Sequence, residues 1–344
     1  MKKNSTHKKY IISFGDREGR FDAGSKSPMD AIRFLKEEGW RLMVLPYLGI
    51  DESKRKWLLP GHVLKLLFCI KPGSEVLFIY PCHMWQITII NLLKFILRPW
   101  YRLLGIKSTA FVMDINSVRF YDGDPSLEIS VLNCMDRIIV HSPQMDKFVR
   151  DRGYAGESSI LGLVDYSVEK SSCKVRTLSH EICFAGNLKK SEFLRTIDFS
   201  CFSKAKFFFY GQGFTEEISK SNTEYKGLFS PEDLSGVEGS WGLVWDGDSA
   251  KALDGFLGRY MKMNSPHKAS MYACAGLPLI VPEGSFVADV VREKGLGLIL
   301  NDLNDLDSAI GNVTESEYAT MLENVHAFAE RLTHGRQLKD AISS

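Results

Sequence analysis

Short bursts of apolar, β-branched and aromatic residues alternate with amphipathic stretches along nearly the whole chain, and this alternation restricts the fold to βα units around parallel sheets. In the first half the bursts run Tyr10 to Phe14, Arg41 to Leu45, Glu75 to Tyr80, Ser108 to Met113, Arg137 to Val140 and Ser159 to Leu163. A polar stretch from Glu169 to Thr177 breaks the rhythm and reads as a linker. The rhythm resumes with Glu181 to Ala185, Lys206 to Tyr210, Gly242 to Trp245, Leu279 to Val281 and Gly297 to Leu300. Between bursts, Pro28 to Glu38 sets Ala31, Ile32, Phe34 and Leu35 on one face and stops at Gly39. Pro143 to Arg152 repeats the pattern up to Gly153, and Glu315 to Leu332 carries Tyr318, Met321, Leu322, Val325, Phe328 and Leu332 near a 3.6 period. With 344 residues the chain has the length for two doubly wound α/β domains, expected at 1–172 and 173–344. Two such Rossmann-like domains are expected to face each other across a cleft lined by strand C-termini and helix N-termini, a place for a nucleotide-like or phosphorylated ligand.

Lys plus Arg number 43 against 42 Asp plus Glu, so the basic footprint of a nucleic-acid binder is missing and no nucleic-acid partner is expected. The 7 cysteines are scattered without a Cys-x-x-Cys pair and read as reduced thiols of a cytoplasmic protein. The basic start, MKKNSTHKKY, leads into an apolar burst broken at Gly15-Asp16 rather than into a signal-peptide core, so export is not expected. From Met84 to Gly105 the chain is apolar and aromatic, but Gln86, Asn91, Lys94, Arg98, Pro99 and Arg102 interrupt it. Such a segment should not span a bilayer. It reads either as a packed helix with a basic end or as a peripheral membrane contact, with Trp100 and Tyr101 at headgroup level and Arg98 and Arg102 toward anionic lipid.

Several segments carry chemistry. In Asn264-Ser265-Pro266-His267-Lys268-Ala269-Ser270, Ser265 is expected as the N-cap and Pro266 at the first helical position, with Gly276 ending the helix. His267 and Lys268 put cations or donors in a first turn, where a cation disfavours the helix by roughly 0.3–1 kcal/mol. That placement suits a bound anion; the other reading is an ordinary capped helix with a surface lysine. In Phe184 to Ser191, Gly186 lets backbone approach a ligand and Asn187 with Lys190 can hold phosphate or sugar oxygens, or be solvated loop residues. The burst at Gly242 ends in Asp246-Gly247-Asp248, which reads as a cation-binding pair, a hydroxyl acceptor or a plain turn, as does Asp122-Gly123-Asp124. Asp22 to Asp30 is expected as a Gly-bearing loop, with Gly24 and Lys26, leading into a helix. Asp114, after a strand, is placed like a general base with Arg119 to hold it or an acceptor, unless the two are a structural pair. The 8 histidines show no metal spacing, and neither a His-Glu-x-x-His nor a Gly-x-Ser-x-Gly motif occurs, so no metal site is expected.

Taken in order, Asp22-Ala23-Gly24-Ser25-Lys26, Asp114 with Arg119, His141-Ser142-Pro143-Gln144-Met145, Asp165-Tyr166, Ala185-Gly186-Asn187-Leu188 with Lys190-Ser191, Gly242 to Asp248, and Pro266-His267-Lys268 resemble a bacterial glycosyltransferase family. It includes the β-1,6-galactofuranosyltransferases of lipopolysaccharide synthesis and the streptococcal glucosyltransferases that act on serine-rich adhesins. The resemblance implies a GT-B fold and a UDP-hexose donor held mainly by the second domain, through Gly186, Asn187, Lys190, Asp246, Asp248, Asn264, Pro266, His267, Lys268 and Ser270. It implies that Lys268 and the helix N-terminus neutralise the leaving diphosphate with neither metal nor cofactor. It also implies a loop at Gly24 and Lys26, inversion with Asp114 as the base beside Arg119, and a glycan, glycolipid or glycoprotein acceptor. The chain departs from the family pattern at Met113-Asp114, where His-Asp is usual, at Ser265, where a second Asn is usual, and at Val164 and Ser167 around Asp165-Tyr166. A catalytically weak nucleotide-sugar-binding partner in a glycosylation complex, and a metal-dependent GT-A enzyme using Asp122 and Asp124, are the rival readings. The sequence leaves the oligomeric state open, a homo-oligomer included.

Overall fold

A computed structural model describes residues 8–14, 23–45, 59–81, 84–121, 123–169 and 174–344; Asp22, Asp122 and positions 170–173 of the polar stretch lie outside them. The chain divides into two compact units, one of Met1–Arg20, Pro28–Leu161 and Lys339–Ser344, the other of Phe21–Ser27 and Gly162–Leu338. No helix among the described residues is long and apolar enough to cross a membrane.

In the first unit β1 (Lys9–Phe14), β2 (Arg41–Leu45), β3 (Glu75–Tyr80), β4 (Lys107–Val112), β5 (Arg137–Val140) and β6 (Glu157–Ile160) form a parallel sheet in the order β2-β1-β3-β4-β5-β6. The inner strands are buried on both faces, which is why they read as continuous apolar bursts, whereas the edge strand β2 leaves Leu42 and Val44 exposed. The helices are α1 (Ala23–Glu37, in this unit from Pro28 onward), α2 (Leu59–Phe68), α3 (Met84–Leu103), α4 (Asn116–Tyr121), α5 (Ser126–Leu132) and α6 (Pro143–Asp151). Ser142 caps α6 by accepting the Met145 N–H at 2.9 Å. Strand order reverses between β1 and β3, the kind of switch point at which open α/β sheets bind ligands. One expectation is corrected here: Gly24 and Lys26 do not sit in a loop, because α1 begins at Ala23 and carries Pro28 inside it. Pro28 fits a helix start by its fixed φ, but here, five residues into the helix, it removes one backbone donor and its ring crowds the carbonyl four residues back, a cost α1 carries near its beginning.

The second unit holds β7 (Glu181–Ala185), β8 (Lys206–Tyr210), β9 (Thr223–Gly227), β10 (Trp241–Leu243), β11 (Leu279–Pro282) and β12 (Gly297–Leu300), parallel in the order β12-β11-β10-β7-β8-β9. Its helices are α7 (Phe193–Thr196), α8 (Gly255–Tyr260), α9 (His267–Cys274), α10 (Phe286–Lys294), α11 (Leu306–Gly311) and α12 (Glu315–Thr333), while α13 (Arg336–Ser343) belongs to it only up to Leu338. Side chains alternate between two cores. Cys183, Ala185, Val244, Leu279 and Val281 pack with α9, α10 and α12 on one face. Ile182, Phe184, Phe207, Phe209, Trp241 and Trp245 fill the other. The polar stretch read as a linker is not wholly solvent-facing: Arg176 is 9% exposed and donates to the carbonyls of Val237, Gly239 and Ala275. The last of these lies at the C-terminal end of α9, where a cation is favourable.

α9 lies close over the sheet because Gly242 has no side chain. A Cβ there would stand 2.3 Å from Cγ of the fully buried Tyr272. The Tyr272 hydroxyl in turn accepts the Ala185 N–H at 2.7 Å, tying α9 to the end of β7. Gly242→Ala is expected to destabilise the protein by about 1–3 kcal/mol, the usual range for overpacking a closed core. Urea unfolding of the two proteins measures it; equal midpoints would show that α9 has room to shift.

Candidate active site

The strand order of the second unit reverses between β7 and β10, so the backbone leaving those two strands frames a crevice. Gly186 follows β7, and Trp245 and Asp246 follow β10. Gly211, after β8, closes the floor: at φ +124 its Cβ would lie 1.8 Å from the Gly186 carbonyl oxygen, so neither strand end could approach the other with a side chain there. α9 delivers Lys268 to this place. The Lys268 ammonium donates to the Trp245 carbonyl at 2.7 Å and to Asp246 Oδ1 at 3.0 Å, and stands 4.9 Å from the centre of the Phe184 ring of β7. Its side chain is 15% exposed. An ammonium has three donors, so one remains for a ligand.

The start of α9 differs from the expectation in one respect. Ser265 is not its N-cap; Pro266 occupies that position, at φ −59 and ψ 127, and no side chain caps the first turn. The Ser265 hydroxyl instead accepts the Val164 N–H at 3.3 Å. No side chain of the N-cap residue satisfies this first turn, whose Ala269 N–H donates back to the Pro266 carbonyl at 2.9 Å, at the positive end of the helix dipole. Ser270, in the second turn, is fully buried, and its Oγ and the Oδ1 of Asn264 have no hydrogen-bond partner among the described residues. His267 stacks on Tyr166, ring centres 4.7 Å apart, and the other side of this cluster holds Lys26. Lys26 is 5% exposed, donates to the Ser167 carbonyl at 2.8 Å and pairs with Glu232 at 2.9 Å, so its charge is committed to packing.

Other expected residues take local parts. Asn187 Oδ1 accepts the Lys190 N–H at 3.1 Å, shaping the turn after Gly186, while the Asn187 and Lys190 side chains stay exposed. Asp246 pairs with Lys268, whereas Asp248 is exposed and packs against Gly255, which has no room for a Cβ. The aspartates of this triplet therefore have separate surroundings.

In the first unit Asp114 follows β4 and pairs with Arg119 of α4. The sequence reading missed the group that fixes this pair. Glu128, 2% exposed on α5, accepts the N–H groups of Asn116 and Ser117 at 3.1 and 2.8 Å, the Ser117 hydroxyl, and the Tyr80 hydroxyl at 2.7 Å. It thereby caps α4 from a neighbouring helix. The signal was there as a glutamate among the apolar positions of Ser126–Leu132, but its partners are not sequence neighbours. His141, at the end of β5, is 3% exposed, and burial, helped by the nearby Arg119 guanidinium, pushes its pKa down to about 3. It is neutral in the folded protein, while an unfolded histidine titrates near 6.5. As pH falls below that value the unfolded chain takes up a proton the folded one refuses, so stability drops on acidification until about pH 3. Between pH 7 and 5 the wild type should lose about 2 kcal/mol more than His141→Gln in urea unfolding; parallel losses would show that His141 protonates in place.

The family model for the glucosyltransferase 3-like N-terminal domain matches residues 8–163, and that for the glucosyltransferase 3-like C-terminal domain matches residues 182–344. The chain is 26% identical over 337 residues to the β-1,6-galactofuranosyltransferase WbbI of Escherichia coli (strain K12), covering 94% of each. It is 28% identical over 240 residues to glucosyltransferase 3 of Streptococcus gordonii, covering 68% of this chain and 69% of the relative. Among solved structures it resembles sucrose-phosphate synthase from Thermosynechococcus elongatus, with TM-score 0.65 and 13% identity over 98% of both chains. HepE from Anabaena, in complex with UDP and glucose, gives TM-score 0.62 at 12% identity over 98% of this chain and 100% of the other. At such identities the likeness shows the fold, and that fold is GT-B, two Rossmann-like α/β domains. The chain, matched by both domain models in order, belongs to the glucosyltransferase 3-like family.

Proposed function

We propose that this protein is a UDP-sugar-dependent hexosyltransferase that moves galactofuranose or glucose onto a glycan, glycolipid or glycoprotein acceptor in cell-surface polysaccharide or glycoconjugate synthesis. Glycosyl transfer is supported by family membership and by relatives named as a galactofuranosyltransferase and a glucosyltransferase. A UDP-linked donor is supported by the fold relative in complex with UDP and glucose. The observation that carries the reading is the Lys268 ammonium, held at the β7–β10 switch point in the first turn of α9. When the bond between sugar and diphosphate breaks, negative charge builds on the leaving phosphate oxygens. An ammonium already oriented there, with backbone amides aimed the same way, stabilises that charge without having to reorganise. In this reading the positive charge comes from the protein itself and no metal is called for. Gly186, Asn187 and Lys190 line the donor, with Asp246 and Asp248 toward sugar hydroxyls and Asn264, Pro266, His267 and Ser270 around the diphosphate.

The Escherichia coli relative's name specifies a β linkage. Formation of a β product from an α-linked donor inverts the anomeric carbon, so an acceptor hydroxyl must lose its proton to a base as it attacks. Asp114 is that base in our reading, and Arg119 orients it. The reaction is placed in the cytoplasm, with peripheral contact at the inner face of the plasma membrane through 84–105. One observation favours the second reading, a catalytically weak sugar-nucleotide-binding partner: Asp114 is engaged with Arg119 and must share or break that ion pair to accept a proton.

Lys268→Ala is expected to weaken UDP binding by about one to two orders of magnitude in titration calorimetry, the size of a lost charge-assisted contact. Unchanged affinity would remove the phosphate role. With a panel of UDP-sugars, Asp114→Asn should lower transfer by about 100-fold or more while leaving UDP affinity unchanged. Saturable UDP binding by the wild type with no turnover on any donor would select the binding-partner reading instead.

A further inference from the structure

α3 carries two neighbouring stripes at a spacing of four residues. Lys94, Arg98 and Arg102 form a cationic one, and Phe95, Pro99 and Leu103 run beside it. Phe95 is 78% and Leu103 76% exposed, although the helix is already anchored on its other side. There Leu97 and Tyr101 are buried, the Tyr101 hydroxyl donates to the Leu66 carbonyl at 3.0 Å, and the Trp100 indole donates to the Leu67 carbonyl at 2.7 Å. The outward apolar stripe is therefore surplus to the core. Between α3 and α5 the cationic stripe lines an open groove of about 870 Å³, which Arg152 also borders and which no carboxylate among the described residues lines. The Arg98 Nε is buried there without a hydrogen-bond partner among the described residues. The described acid beside this wall, Asp124, feels Arg152 from outside the lining and is held by Ser126.

We propose that this groove binds the phosphate-bearing headgroup of anionic lipid while Phe95 and Leu103 enter the acyl boundary, a site that rests on the peripheral membrane contact proposed above and gives it a chemistry. The four cations supply charge complementarity to a phosphodiester surface. The apolar stripe one position away favours a bilayer over a nucleic acid or an acidic peptide, because an interfacial helix needs both faces at once. Arg98 lines the wall of the groove, and Arg102, exposed at its mouth, meets the surface first.

Cosedimentation of the full chain with vesicles tests the site, without donor or acceptor. Equimolar phosphatidylglycerol and phosphatidylcholine are compared with phosphatidylcholine alone. The protein should bind the anionic vesicles at least tenfold more tightly, and Arg98→Gln with Arg102→Gln should lower that affinity by roughly fivefold per cation removed. Phe95→Ser with Leu103→Ser, both at exposed positions, should lower it further at high salt, where the charge contribution is screened. UDP affinity measured on each variant shows that it is folded. Equal binding to both vesicles, or variants that bind as the wild type does, would overturn the proposal. So would binding of soluble glycerol phosphate with no vesicle binding, which would make the groove a site for a free phosphate. Vesicle binding without UDP binding would sink the transferase reading alone; UDP-sugar turnover without vesicle binding would sink the lipid site alone.

Discussion

The second unit is organised around one cation. Lys268 sits at the beginning of a helix, where the backbone dipole opposes it, yet it is largely sheltered and bonded to a strand-end carbonyl, a carboxylate and an aromatic face. Such a placement is unfavourable for α9 taken alone. Asp246 offsets the charge, and with the Trp245 carbonyl it engages two of the three donors of the ammonium. The carboxylate thereby keeps the ammonium oriented, so little reorganisation is left for the moment of binding.

Much of the surrounding sequence serves to hold α9 in that position. Gly242 lets its middle lie against β10, Tyr272 ties it to the end of β7, and Arg176 fixes its last carbonyl from a segment nearly a hundred residues away. Gly211 and Gly186 bring the ends of β8 and β7 together beneath the crevice. In the first unit Glu128 does the equivalent task for Asp114 and Arg119, accepting the first two amides of a six-residue helix from another element. Buried polar groups of this kind are informative because each is satisfied only in one arrangement of several elements.

The strands were legible because parallel strands covered on both faces must be apolar throughout, and every expected burst became a strand within a few residues of its expected ends. β9, Thr-Glu-Tyr-Lys-Gly, was not legible: it is an edge strand, half exposed, whose residues pair only with β8 and have no second face to bury. The start of α1 was hidden by Pro28. Ser265 looked like a cap because serine before proline usually is one, but its hydroxyl answers to Val164, 101 residues earlier. Lys26 looked like a loop cation, and only its partners, Ser167 and Glu232, show why it is buried. Side chains whose roles are set by near neighbours could be read. Those set across the fold could not.

If the crevice at Lys268 recognises a diphosphate rather than a nucleoside, as proposed, titration calorimetry with UDP, UMP and uridine will separate the three ligands. Affinity should climb steeply with each phosphate in the wild type, and the climb should flatten in Lys268→Ala. Uridine binding as tightly as UDP to the wild type would contradict it.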